Sequence, residues 1–475
     1  MSTKRRDFLK LTGLAGISMA GAGVITSCSN AQTQPEKTEQ AKASGKNHTQ
    51  QFNMCGYAAP KLETVRIGFI GLGNRGPGAV QRISHIQGVE IKALCDLRTE
   101  KAEAAKKLLE NSSHQPTLYS GKAEAWKELC DRKDIDLVYI ATPWHLHTPM
   151  AVYAMEQGKH VATEVPAAKT LDECWQLVET SERTRKHCMM LENCCYDFFE
   201  MLTLNMARQG LFGEIIHGEG AYIHDLLDMN FNKETYHDMW RLKENFRNGS
   251  LYPTHGLGPI CQVMNINRGD QMDYLVSVSS NDFMMKEKAV QLAATDPFYK
   301  DYTNKNYRGN INTTTIRTKK GKTIMVQHDV TSPRPYSRIH LVSGTKGVAS
   351  KWPSPERIAT GHEKWLTDEE LAPLREQYEP ELIKKLGEMA KKIGGHGGMD
   401  FLMDWRLIDC LRNGLPLDQD VYDAALWSAV APLSEWSVAN RSNSIDVPDF
   451  TAGAWQKNAP VDITLRGGGT TTVKV

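Results

Sequence analysis

Beyond its first thirty residues the chain has no apolar run of about 18 residues, so no later segment reads as a membrane span. It has almost no net charge. Its 57 Lys and Arg against 56 Asp and Glu leave +1, so no global field draws it onto nucleic acid. No basic stripe interleaves with aromatics. The lysines from Lys384-Lys385 to Lys391-Lys392 recur at helical spacing and read as a solvated helix face. No paired C-x-x-C occurs among the ten cysteines, which excludes the common zinc modules, and no other metal-ligand cluster stands out. Most cysteines sit in apolar settings such as "ALCDL" and "PICQV", where buried free thiols are expected. What remains is an ordinary soluble composition, 40% hydrophobic and 24% charged, long enough for two or three domains.

The N-terminus reads as a processing segment. "KRRDFLK" places Arg5-Arg6 before a mildly apolar, Gly- and Ala-rich run, the pattern of a twin-arginine export signal. The run ends in "ITSCSN", which resembles a lipoprotein cleavage box with Cys28 as the acylated residue. Residues 1–28 are thus expected to be signal peptide. Residues 29–60, rich in Gln, Lys, Ser, Thr and Glu, are expected to form a disordered tether. The product would be an exported lipoprotein, periplasmic or on the cell surface, touching membrane only through its lipid. Twin-arginine export carries proteins that have already folded.

Residues 61–195 read as a doubly wound α/β domain. "VRIGFIGLGNRGPGAV" runs from an apolar strand through Gly71, Gly73 and Gly76 into a helix. The first Gly permits a tight turn, the second lets backbone approach a pyrophosphate, and the third allows close helix packing. The helix N-terminus then faces the phosphates with its partial positive charge. The next strand, "VEIKALCDL", ends at Asp96, whose carboxylate suits ribose hydroxyls and repels a 2′-phosphate, favouring NAD; Arg98 nearby leaves NADP open. A helix is expected from Thr99 to Asn111. "IDLVYIAT" is a buried strand, and His145 and His147 follow it at the rim where such sheets bind ligands. "HVATE" delivers Glu164 and "HCMMLENCCY" delivers Asn193 to the same rim.

"GFIGLGNRG", "ATPWHLHTPMAVYAMEQGKHVATEVP" and "NCCYDFFEMLTLNMARQGLFGEI" resemble the glucose–fructose oxidoreductase superfamily. "TEVPAA", "YIHDL", "MWRLKENFRNGSLYPTHGLGPICQ" and "GGHGGMDFLMDWRLIDCLRNG" narrow the resemblance to glycoside hydrolase family 109, the NAD-dependent α-N-acetylgalactosaminidases. It extends over nearly the whole chain after the tether. It implies a Rossmann domain followed by a C-terminal α+β domain (196–475) with an open, mainly antiparallel sheet, and tightly held NAD. It implies NAD contacts from Asn74, Arg75, Asp96, Trp144, His145, Leu146, His147, Glu164, Val165 and Asn193. It implies a sugar site lined by Tyr222, Arg241, Tyr252, Pro253, Thr254, His255 and Tyr336. A glycan bearing terminal α-N-acetylgalactosamine is the implied substrate; a homo-oligomer is open.

Read from its residues, the second domain begins with "EIIHGEGAYIHD", a strand that puts Tyr222 and His224 on one face. "TTTIRTKKGKTIMVQHDVTS" reads as a hairpin around Lys320-Gly321, and "RIHLVSGTKGVAS" turns at "GTKG". In "LYPTHGLGPICQ", Pro253 keeps Tyr252 extended and a helix is expected just after His255. Tyr and His three residues apart can reach one ligand together, His as a base near neutral pH and Tyr as hydrogen-bond donor or acid. Alternatively they are a capping His and a packed Tyr. Arg241 could fork onto sugar hydroxyls or form an ordinary ion pair with Glu244. "GGHGGMD" carries His396 either on a loop that closes over the site or in a helix-start turn.

One residue departs from the wider superfamily. Where its sugar dehydrogenases carry Glu-Lys-Pro, this chain has Glu164-Val165-Pro166. Val cannot hold or move a proton, so proton work falls to Tyr252 and His255. The family 109 resemblance implies oxidation at C3, removal of the now acidic C2 proton, loss of the aglycone from C1, addition of water and reduction at C3. NAD-dependent glycosidases need no pair of catalytic carboxylates. The rivals are a sugar dehydrogenase with net hydride transfer and a non-catalytic carbohydrate-binding lipoprotein.

Overall fold

The computed structural model describes residues 48–474, so Arg5-Arg6, Cys28 and most of the expected tether lie outside the described residues. The last stretch assigned to the tether, residues 48–60, is folded onto the body. Met54 and Ala59 are buried, and the Tyr422 hydroxyl accepts from the Met54 N–H at 3.2 Å and the Gln50 amide at 2.8 Å. His48 bonds Glu182 at 3.2 Å, and the Arg185 guanidinium sits 4.8 Å over the Phe52 ring. A polar average over residues 29–60 hides three anchors, Phe52, Met54 and Tyr57, and burying such side chains offsets the cost of ordering the segment.

The N-terminal sheet has six parallel strands: β1 Val65–Ile70, β2 Val89–Asp96, β3 Thr117–Ser120, β4 Leu137–Ile140, β5 His160–Thr163 and β6 Cys188–Met190. Their order is β3-β2-β1-β4-β5-β6. The order reverses between β1 and β4, and the crevice beyond their C-terminal ends is where such sheets bind ligands. β1 and β4 are apolar and almost wholly buried, as strands covered on both faces must be. The expected helix to Asn111 ends at Lys107. Leu108, Leu109 and Glu110 donate instead to Ala105, Lys106 and Lys107, tightening the last turn to three-residue spacing.

The second sheet has eight strands: β7 Ile215–Ile223, β8 Met272–Ser279, β9 Ile311–Thr318, β10 Thr323–Asp329, β11 Leu341–Gly344, β12 Val348–Ser350, β13 Arg357–Ala359 and β14 Ile445–Asp446. The order β13-β12-β11-β7-β10-β9-β8-β14 is antiparallel except at β7/β10. The expected hairpins are the pairs β9/β10 and β11/β12.

The helix Thr254–Met264 packs across β7. Two glycines set the distance. A Cβ on Gly220 would lie 2.3 Å from the Gly256 carbonyl oxygen, and one on Gly256 would lie 2.1 Å from the Ala221 nitrogen. Only glycine lets these backbones meet, and the contact carries His255 up to Tyr222. The last two long helices, Met399–Asn413 and Val421–Ala439, return to pack on the Rossmann layer, with Trp405 and Trp427 buried. The two sheets are separate, yet the C-terminal chain completes the core of the first.

The helix Glu381–Ile393 buries Leu382, Ile383, Leu386 and Ala390 and leaves its lysines exposed. The nine described cysteines are free, and eight are buried. No described helix is long and apolar enough to cross a membrane.

Candidate active site

The glycine-rich turn has the shape a dinucleotide requires. Gly71 has φ +92°, and its Cβ would strike the Ala141 backbone at 2.6 Å. A Cβ on Gly76 would lie 2.0 Å from the Gly71 carbonyl oxygen, so the helix Gly76–Ser84 closes directly on the turn. Gly73 faces open space apart from the Arg98 guanidinium at 3.3 Å. The helix start has no side-chain cap and no acidic residue in its first turn, leaving N–H groups for an anion. The Asp96 carboxylate stands beside this turn, accepting from the Leu72 N–H at 2.7 Å and the Arg98 N–H at 2.9 Å. Each oxygen keeps a lone pair for a ribose hydroxyl. Asn74 is exposed on the turn.

Arg75 links the turn to the rim. It donates to Glu164 at 3.1 Å and meets Asp400 at 3.3 Å. Glu164 stands just past the end of β5, buried. Asp400 also accepts from the Asn193 amide at 2.5 Å and bonds the His396 ring at 2.9 Å. Burial alone would raise the Asp400 carboxyl, but His396, Arg75 and Arg82 hold it far below its usual range. Of the two readings of "GGHGGMD", the helix-start turn is the one observed. A 3-10 turn at His396–Gly398 starts the helix Met399–Asn413, and its half-exposed His396 reaches the Arg75 network. Asn193 begins a 3-10 turn just after β6 rather than lying on the strand.

The Trp144–His147 loop divides by burial. Trp144 faces the second domain, Leu146 is half-buried and His145 is exposed. His147 is wholly buried, with its ring nitrogens each 2.7 Å from a carbonyl oxygen, of Pro166 and of Thr142. It braces the loop and has no nitrogen left for a ligand. Val165 is 3% exposed, packed in the core below Glu164.

Against Trp144 stands an aromatic cluster of the second domain. The "LYPTH" loop is pinned by the Leu251 N–H donating to His328 on β10 at 3.0 Å and the Ser250 N–H donating to Ser434 at 2.8 Å. Pro253 and Thr254 are buried in it, and the helix begins at Thr254, so His255 lies in its first turn. Tyr252 stacks on Trp144, with ring centroids 5.5 Å apart and planes at 23°. It also touches Tyr222 at 4.7 Å and His255 at 4.9 Å. Tyr222 bonds His224 at 3.0 Å, as their shared strand face predicts, and Tyr336 stands edge-on to both. Arg241 makes no ion pair with Glu244, which is held instead by Lys169 at 2.6 Å and Arg247 at 3.4 Å. Its guanidinium lies 5.1 Å from the Trp144 ring and 5.2 Å from the Tyr252 ring, with Tyr236 and Trp240 completing the box.

Burial pushes the Tyr252 hydroxyl well above its ordinary range. Tyr222 and the carboxylates of Glu164 and Glu192 add to this against the pull of Arg241. Tyr222 is raised by burial to about 12. Both stay protonated at neutral pH and act as donors.

Sequence reasoning missed Glu192. It is fully buried, and its carboxylate oxygens lie 2.7 and 2.9 Å from His255 Nδ1. The signal was present in "LENCCY", one residue before the expected Asn193. Glu192, Cys194 and His255 also place ligand atoms within 4.8 Å of one another, the one such group among the described residues. The 2.7 Å approach of Glu192 to His255 is a hydrogen bond, which a cation between them would have to open.

The chain's similarities agree with this geometry. The profile of the glycosyl hydrolase 109 C-terminal domain matches residues 196–457, and that of the oxidoreductase family with an NAD-binding Rossmann fold matches residues 65–192. A glycosyl hydrolase family 109 protein 1 of Bacteroides fragilis is 52% identical over 425 residues, 86% of this chain and 89% of that protein. An alpha-N-acetylgalactosaminidase of Bacteroides fragilis is 52% identical over 413 residues, 86% of this chain and 96% of that protein. Among solved structures, levoglucosan dehydrogenase in complex with NADH shares the fold at 18% identity, with a TM-score of 0.59 over 81% of this chain and 100% of that chain. The scyllo-inositol dehydrogenase of Lactobacillus casei with NAD(H) and scyllo-inositol does so at 14% identity, with a TM-score of 0.57 over 81% of this chain and 99% of that chain.

Proposed function

Because the chain belongs to glycosyl hydrolase family 109 and its Rossmann domain is an NAD-binding one, we propose that it removes terminal α-linked N-acetylgalactosamine from glycoconjugates without net redox change. The observation that carries the reading is the Tyr252–His255 pair, one a buried donor and the other a base candidate, set against Trp144 and Glu192 of the Rossmann side. The α-N-acetylgalactosaminidase relative supports the choice of sugar.

The dinucleotide would lie along the Gly71–Gly76 turn, its riboses at Asp96 and at the Arg75–Glu164–Asn193 rim. When bound, it supplies a hydride acceptor for C3 and a hydride donor at the end of the cycle. As the hydride leaves C3, the C3 hydroxyl proton passes to His255 and from it to water; Tyr252 then donates to the C3 oxygen, stabilising the negative charge that forms there when the C2 proton leaves. His255 takes that C2 proton, a role open to it because imidazole exchanges protons near neutral pH. Arg241, on its aromatic box, forks onto sugar oxygens with Tyr222 and Tyr336 beside it. Val165 makes no proton contribution, which is why the acid and base groups stand on the opposite domain.

His255→Ala tests this directly. Glycoside cleavage should fall below detection while the purified protein keeps its NAD; unchanged turnover would overturn the assignment. The reading extends to location, with export through the twin-arginine signal and anchoring by a lipid on Cys28. A Cys28→Ala variant should leave the membrane fraction.

A further inference from the structure

We infer that Glu192 is the positioning residue that fixes His255 in its Nδ1–H form and so aims a basic Nε2 at the substrate. The inference rests on the reading of His255 as the C2 base and adds the group that sets its tautomer.

The geometry leaves one arrangement of protons. A carboxylate can only accept, so at 2.7 and 2.9 Å the proton between Glu192 and His255 belongs to Nδ1. In neutral imidazole the lone pair is then on Nε2, which has no hydrogen-bond partner among the described residues. The ring stands edge-on to Tyr222 and Tyr252, with centroids at 5.3 and 4.9 Å, and the side chain keeps 14% exposure. Glu192 is held in turn. Its Oε1 accepts from the Cys194 N–H at 3.1 Å, and Gln419 clamps its backbone at both ends, at 3.3 and 3.0 Å. A Cβ on Gly258 would lie 2.9 Å from Glu192 Cγ, so glycine at that helix position makes room for the side chain. Burial works against charge on Glu192, yet His255 and the Cys194 N–H hold its carboxyl below its usual range.

The groups facing His255 are Glu192 and Cys194 from the Rossmann side, Tyr222 and His224 from β7, and Tyr252 from its own loop. Among them Glu192 alone is anionic. In the proton step the C2–H bond breaks, its electron pair delocalises toward the C3 oxygen, and the proton goes to Nε2. The resulting imidazolium keeps Nδ1–H on Glu192, which remains a carboxylate throughout.

The test uses the NAD-loaded enzyme and its Glu192→Gln variant. Nitrogen chemical shifts of His255, assigned by comparison with His255→Ala, should show Nδ1–H alone in the wild type and a mixture of tautomers in the variant. The variant's kcat should fall up to about 10⁴-fold, by analogy with amidating the carboxylate partner of a catalytic His. KM and NAD content should stay within threefold, and the acid limb of its pH–rate profile should move to lower pH. A packing role alone would leave tautomer and limb in place. A wild-type His255 protonated on Nε2, or a variant with kcat within threefold of wild type, would overturn the inference. If the wild type cleaves no glycoside, the functional reading fails while the nitrogen shifts still decide the tautomer. If the variant does not fold, the wild-type spectrum decides alone.

Discussion

Tyr252 lies against Trp144 with ring planes 23° apart and centroids at 5.5 Å, and Arg241 caps both rings at 5.2 and 5.1 Å. Trp144 comes from the loop after β4 and Tyr252 from the loop before the helix Thr254–Met264. The stack therefore sets the spacing between the Rossmann rim and the Tyr252–His255 loop, which carries the proposed proton-transfer groups. An aromatic pair adds about 1 kcal/mol and a cation over a ring about as much again. Trp144→Ala should lower kcat/KM roughly 30-fold. Trp144→Phe should recover most of that. Steady-state kinetics within threefold of wild type for Trp144→Ala would remove the stack from the account.

Arg241 owes its place to rings and has no carboxylate ion pair among the described residues. Lys keeps the charge and loses the planar fork. Arg241→Lys should lower kcat/KM about 10–100-fold, mostly through KM, the scale of one or two lost charge-assisted hydrogen bonds. Its melting temperature should stay within a few degrees. Wild-type kinetics in this variant would return Arg241 to a packing role.

Val165 is nearly fully buried beneath Glu164. Restoring the dehydrogenase-like residue with Val165→Lys puts an ammonium in the core, at a cost of several kcal/mol. The melting temperature should fall by several degrees, and incubation with free sugars and excess NAD should yield no net NADH. Steady NADH production would mean that the missing Lys was all that separated this site from a dehydrogenase.

Two buried histidines predict an acid-sensitive fold. Burial lowers His187 to about 4 and His340 to about 3, from an ordinary value of 6.5. A His with a depressed pKa takes up protons more readily when unfolded, so each contributes stability that is intact above pH 6.5 and lost as pH falls. By pH 4 the loss is roughly 3 kcal/mol for each. Denaturant titrations at pH 7, 6 and 5 should show falling midpoints. A stability that rises over that range would contradict the assignment.

The Rossmann half was legible because its signals are local. A glycine-rich turn, an acid at the end of the next strand and unbroken apolar strands each carry their meaning within about ten residues. Tyr222, Tyr252 and His255 were legible as residue types in strand and loop positions. Their convergence was not, since it depends on Gly220 and Gly256 letting a helix cross a strand at backbone contact. Glu192 was missed for a related reason. A Glu at a strand end reads as solvent-facing until a helix from the next domain brings His255 onto it. Asp400 is a similar case, joined to Arg75 and Asn193 only by the return of the C-terminal helices. Residues 48–60 show the converse, where composition outweighed three anchoring side chains.

The proposed hydrolysis runs through a redox cycle that closes on itself. Incubating the purified protein with 4-nitrophenyl α-N-acetylgalactosaminide, while following 4-nitrophenol and NADH absorbance together, tests it most directly. Many turnovers of 4-nitrophenol per protein are expected, with NADH never exceeding one equivalent of enzyme. NADH accumulating in step with product, or no 4-nitrophenol at all, would contradict it.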